Sequence, residues 1–206
     1  MLASISVIEA LTKFATGLAY GFSLAIPPGP MNAIIASRSI ISPKHGFSVG
    51  AGAMTADFLL MMATLAFYRI IHRLPMFPFY VAGSLLMLYL IRDIAKMKTY
   101  LREDEVRDVH KVSGSYLLGV TMGLVNPYQI GWWITAGLSF ISIFGLLAVT
   151  GLFTAIAIWI TVFPLTVKAG YNVNSRATIL IIKVFSITVL ASFATIFLYK
   201  AVLEVI

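Results

Sequence analysis

Apolar residues run through this chain in long blocks, separated by short polar breaks. The first block predicts a helix over about 4–26 that stops and resumes over about 30–40. A short loop, 42–46, precedes a second helix over roughly 47–68, and a polar turn with Arg69, His72, Arg73 and Pro75 leads to a third over 77–95. Residues 96–113 form the only long hydrophilic segment. They read as a charged helical extension with Glu103 and Arg107 spaced i,i+4. A fourth helix starts near 116 and meets Asn126-Pro127; no charged residue then appears until after Val167. That length holds the rest of helix four, a turn near 139–145 and a fifth helix to about Pro164. A loop over 168–176 and a sixth helix over about 178–203 complete the pattern. At about 20 residues per bilayer crossing, six spans fit, and the first and fourth are broken.

The first break reads Leu-Ala-Ile-Pro-Pro-Gly-Pro-Met-Asn over 24–32. Each proline lacks an N–H and crowds the preceding turn. In lipid the freed backbone groups must find partners inside the protein or in a wet cavity. Pro30 suits the first turn of the resumed helix, where a missing N–H costs nothing. The two halves of the chain also share a layout. Gly17 and Gly21 precede the first break, and Gly119 and Gly123 the second. Pro28 lies 18 positions before Gly46, as Pro127 lies before Gly145. A shift of 99 lays 77–95 on the start of helix six. The expectation is one transmembrane domain over 1–206: repeat one about 1–95, a linker about 96–113, and repeat two about 114–206. Three spans per half would make the repeats inverted, with both breaks near the midplane.

Composition changes the solvent, not the elements. Of 206 residues 60% are hydrophobic and 11% charged, with mean hydropathy +0.95; soluble domains carry about 25% charged residues. Lipid is therefore the expected environment. The net charge of +7 does not form a basic domain, so nucleic acid is not an expected partner. Its cations sit in loops between apolar spans. Eleven Lys and Arg fall on the face that holds 96–113 and four on the other, which puts that segment in the cytoplasm and both termini outside. A five-span arrangement would move one terminus. The first basic residue is Lys13, so no charged region precedes the apolar run, and the N-terminus is expected to be retained. With no cysteine, thiol catalysis, disulfides and thiolate metal sites are excluded.

Candidate chemistry is sparse and lies at the breaks. Asp57 is the only acidic residue deep in a predicted span. At helix centre a carboxylate costs about 2.5–3.5 kcal/mol on insertion scales. It reads as a site for a proton or a solute's ammonium group; the competing reading is a structural hydrogen bond to a neighbouring helix. Pro28, Gly29 and Pro30 would expose N–H groups at Gly29, Met31, Asn32 and Ala33, an anion-attracting end of a half-helix. The competing reading is a packing kink. Asn126, Pro127 and Gln129 are the counterpart, and Asn32, Asn126 and Gln129 could hydrogen-bond the same solute. Trp132 and Trp133 read equally as path-lining or as interface anchors. Tyr20 is similar, with packing favoured. Gly17/Gly21, Gly46/Gly50 and Gly119/Gly123 read as close-approach spacings, and Gly50 and Gly52 could bring the broken helix near Asp57. His45, His72 and His110 fall in loops without metal-ligand spacing. No nucleotide, hydrolase or metalloprotease motif occurs, and neither an enzyme activity, a cofactor nor a metal site is expected.

Pro28-Gly29-Pro30, followed by Gly46, Gly50 and Asp57, resembles the amino-terminal signature of the lysine exporter (LysE/RhtB) family. Asn126-Pro127 with Trp132 and Trp133 resembles its second motif, and the resemblance covers essentially the whole chain. It implies a plasma-membrane exporter of amino acids or related small solutes, driven by a proton or cation gradient, with Pro28, Gly29, Pro30, Asp57, Asn126 and Pro127 at the motif positions. The family often has glycine where this chain has Ala56, and lysine where it has Tyr128, so lysine is not carried over as cargo. Two other readings stay open: an exporter of a metal or other inorganic cation, and a non-transport membrane scaffold. One acid, with no histidine or cysteine in the spans, is a thin ligand set for a transition metal. A homodimer is open to such a chain, but no residue specifies one.

Overall fold

The computed structural model describes residues 6–26, 29–71, 75–96 and 112–204, all helix and short connection with no strand among them. α1 spans Val7–Ala25, its N-terminus capped by Ser6, whose hydroxyl accepts from the Glu9 N–H at 3.2 Å. α2 spans Pro30–Ile41, α3 Pro43–Ile71, α4 Phe77–Ala95 and α5 Val112–Val125. After Asn126 come α6 (Pro127–Trp132), a π-helical segment (Trp133–Gly137) and α7 (Leu138–Phe144). Gly145 then turns the chain, and α8 (Leu146–Val173) and α9 (Ser175–Leu203) follow. Among the described residues four helices are long and apolar enough to cross a membrane: α3 as far as Phe67, α4, α8 and α9. The first and fourth apolar stretches are divided, as their prolines predict.

Several boundaries differ from the sequence reading. The loop expected at 42–46 shrinks to Ser42, because Pro43 tolerates the first turn of α3 and the Ser42 side chain meets His45 Nδ1 at 2.8 Å. Helix five was expected to stop near Pro164; α8 runs through it to Val173, leaving Asn174 alone in place of the 168–176 loop. Proline is tolerated inside a membrane helix where side chains and neighbouring helices satisfy the backbone. The turn expected over 139–145 is Gly145 alone, at φ 77°, a conformation that favours glycine. α3 extends to Ile71 across a non-helical residue, Phe67. The charged extension, with Glu103, Arg107 and His110, lies outside the described residues apart from its edges, as do His72, Arg73 and Pro28.

The outside of the bundle is apolar. Phe58, Leu59 and Met62 on α3, Leu85 and Leu88 on α4, and Ile181 and Val184 on α9 are all exposed, as a lipid-facing surface requires. With no hydrophobic drive between helices in lipid, close packing of small residues holds them together. The most extensive contacts are α1 on α8, α3 on α5, and α4 on α9. Two of these seams are built alike. Gly17 faces the Ala148 carbonyl, Gly151 faces the Phe14 carbonyl, and Gly21 lies where a side chain would come within 2.7 Å of the Ala155 methyl. In the other seam Gly119 faces the Val49 carbonyl, Gly52 the Tyr116 carbonyl, and Gly123 the Ala56 methyl. Every contact of the first has its counterpart in the second, 102 positions on for α1 to α5 and 99 for α3 to α8. Gly50 and Gly52 thus serve α8 and α5; it is Gly46 that meets α2, at Ser39 and Ile35.

Half-helix α2 sits at the centre, with ten of its twelve residues buried. Three neighbours fix it. The Ser186 hydroxyl of α9 donates to the Ala33 carbonyl at 2.8 Å. Arg38 pairs with Asp93 of α4 at 2.8 Å. Lys168 of α8 donates to the Ile40 carbonyl at 3.2 Å while its ammonium lies 4.2 Å from the Tyr171 ring centre.

Candidate functional site

The two helix breaks open onto one cavity of about 490 Å³, lined from α1, α2, α3, α6, the π segment, α8 and α9. That volume is in the range of small-molecule sites. Gly29, Pro30 and Asn32 line it from the first break, Asn126 and Gln129 from the second, and Asp57, Trp132 and Trp133 also face it. Tyr20 does not: it packs on Phe140 and Phe144, with ring centres 5.0 and 5.8 Å away. Pro127 is buried behind the wall.

Asp57 is half-buried on α3. Its carboxylate accepts from the Trp133 indole N–H at 2.8 Å, and the Gln129 side chain also hydrogen-bonds it. Neither ion pair among the described residues involves it. Both readings of Asp57 therefore meet in one geometry. It is bonded to a neighbouring helix, and among the described residues it is the one charged side chain on the cavity wall.

The two half-helices begin differently. Asn126 caps α6 with its own side chain, which accepts from the Tyr128 N–H at 3.1 Å. Gly29 begins α2 in extended conformation and has no side chain to cap it. The Ala33 N–H is spent on the Gly29 carbonyl at 3.0 Å, so it is not available to a solute as the sequence reading supposed. Asn32, also expected to face a solute, bridges the break. Its amide N–H donates to the Ala25 carbonyl at 2.6 Å, returning a partner to a group freed by the prolines, and its oxygen accepts from Trp159 Nε1 at 3.0 Å. Gln129 reaches the Ala53 carbonyl at 3.4 Å.

Trp159 and Phe193, which line the same cavity, were not singled out from the sequence, and Tyr128, also on the lining, entered only as a departure from the family motif. Trp159 did carry a signal: a tryptophan in the middle of a span needs a partner for its N–H where no water is at hand. The π segment places Trp133 over Asp57; such segments recur at functional positions, but no residue type announces this one.

The Asn32 bridge gives a direct test. Asn32→Ala leaves a buried carbonyl and an indole N–H without these partners, at about 1–3 kcal/mol each. Thermal unfolding in detergent is expected to show a loss of about 2–4 kcal/mol. A double-mutant cycle with Trp159→Phe is expected to show coupling, since the two residues share a bond. Additive effects would mean that the bridge contributes nothing.

The family model described as LysE type translocator matches residues 22–201. No curated protein and no solved structure gives a match.

Proposed function

Because the chain belongs to the LysE type translocator family, we propose that it is a secondary exporter of zwitterionic amino acids. This family is one of membrane exporters of amino acids and related solutes rather than of enzymes. The finer reading is built on the cavity at the two breaks. The solute's carboxylate sits at the uncapped start of α2, where the helix dipole favours an anion. Its ammonium pairs with Asp57, or exchanges there with a proton or another coupling cation. The single observation that supports this is the pairing, on the same cavity, of a half-helix start without a side-chain cap and a carboxylate that takes part in neither ion pair among the described residues. The Asp57 carboxylate and the N–H groups of Gly29 and Met31 make the polar contacts, Pro30 fixes the start of α2 without donating, and Asn32, Asn126 and Gln129 hold the walls that carry them.

The mechanism follows from the two seams. Six spans, in two inverted repeats of three, would rock α1 with α8 against α3 with α5 about the cavity. The matched glycine contacts support that arrangement. In the plasma membrane the segment 96–113 would be cytoplasmic and both termini external, from the distribution of Lys and Arg.

The test uses purified protein in vesicles loaded with labelled amino acids. An imposed pH or cation gradient is expected to accelerate their efflux. Since the chain has no cysteine, Met54→Cys, on the cavity wall, is expected to react with a polar thiol reagent and to be protected by the exported solute. No efflux of any amino acid, with Met54→Cys inert, would sink this reading.

A further inference from the structure

The side-chain amides and two of the three indoles on the described cavity wall are already engaged. The Asn32 amide is bonded at both ends, Asn126 caps α6, and Gln129 serves Ala53 and Asp57. Among the described residues of the lining only Asp57 is charged. Once it takes the ammonium of a zwitterion, no charge remains for an ionised side chain. The wall opposite is an apolar stripe. Leu152, Ile156 and Ile160 recur at i, i+4 and i+8 on α8; Leu152 and Ile160 are buried and back the surface that Ile156, Met54 and Phe193 present. The matched seams sharpen this. The position 99 beyond Asp57 is Ile156, so the wall that repeats the α3 wall carries a branched hydrocarbon where the first carries a carboxylate.

We infer that the exported amino acid carries a bulky, uncharged apolar side chain of leucine, methionine or phenylalanine size, seated against Ile156 of α8 with Met54 and Phe193. This rests on the exporter reading above. A charged side chain would lose its water without gaining a counter-charge from the described wall, and a hydroxyl laid against Ile156, Met54 and Phe193 would meet hydrocarbon. Each methylene laid on such a wall is worth about tenfold or more in selection. A single carboxylate also admits one ammonium and not two, which sets a dibasic side chain at a disadvantage.

The experiment measures thermal-shift binding and exchange from vesicles loaded with labelled leucine. Leucine, methionine, phenylalanine, alanine, serine, lysine and glutamate are the unlabelled competitors. The three large apolar amino acids are expected to compete about tenfold or more better than alanine or serine, and about 100-fold better than lysine or glutamate. Ile156→Ala is expected to narrow the margin between leucine and alanine while leaving exchange measurable. Ile156→Asp is expected to move preference toward lysine. Preferential binding of lysine, glutamate or serine by the unaltered protein overturns this inference and leaves the exporter reading standing. Absence of binding and exchange for all seven overturns both. An unchanged leucine-to-alanine margin in a folded Ile156→Ala protein removes α8 as the selecting wall.

Discussion

Asp57→Asn is expected to bring gradient-driven efflux down to the rate of empty vesicles. Asparagine has nearly the same shape, and its oxygen can still accept the Trp133 indole N–H that now lies 2.8 Å from the carboxylate. The cavity wall should therefore stand while its charge disappears. Hydrogen bonds to charged groups are worth about 1.5–3 kcal/mol, so the solute should bind about 10–100-fold more weakly. If the carboxylate also exchanges its proton with the solute, the gradient loses its handle, and raising solute concentration will not restore coupled efflux. Trp133→Phe gives the comparison. It removes one donor but keeps the charge, and should weaken transport without uncoupling it. Full gradient-driven export by a folded Asp57→Asn protein would remove Asp57 from the mechanism.

The contrast between these two variants reflects what the sequence could and could not disclose. A lone acid within an apolar span stands out by composition alone. Its partner does not, because Trp133 lies 76 positions away and the contact depends on how α3 meets the second broken span. The same holds for Asn32 and Trp159, 127 positions apart. Periodicity tells which residues leave the lipid face, not which of them will touch. The breaks were legible because proline removes a donor wherever it stands. The bounds of α4 were legible because an apolar run starts at Phe77 and Lys96 follows it. Pro164 misled for the same reason that the other prolines informed: a helix buried in its bundle can continue through a proline that would end an exposed one. The π segment was invisible, since it is a shift in backbone bonding that the side chains of Trp133–Gly137 do not encode singly. Asn32 was read as a solute partner, and its amide has protein partners as well, the Ala25 carbonyl and the Trp159 indole. An amide beside freed carbonyls is claimed first by the chain itself.

The glycine seams carry the second large effect. Gly17→Ala and Gly119→Ala each set a methyl against a backbone carbonyl, that of Ala148 in one case and Val49 in the other. A backbone cannot rotate aside as a side chain can, so the helices must part. Overpacking of this kind costs about 1–3 kcal/mol, and valine at either position more. For a chain of this length, a melting point lower by about 5–10 °C in detergent is expected at the upper end of that range. The two variants should fall by similar amounts, because the seams they disturb are matched residue for residue. Gly114→Ala and Gly131→Ala serve as controls: nothing lies within 4 Å of the methyl each would add, and alanine is the better helix former by about 0.5–1 kcal/mol. They should melt no lower than the unaltered protein. A severe Gly17→Ala beside a neutral Gly119→Ala would break the equivalence of the seams, and with it the support for two repeats. The effect should also reach transport. α3 carries Asp57 and α8 carries Ile156 on the cavity wall, so parting either seam moves one wall away from the other. Gly119→Ala displaces the helix that bears the charge, Gly17→Ala the helix that bears the apolar stripe. The first should therefore weaken binding of all solutes alike, and the second should blunt the choice among them.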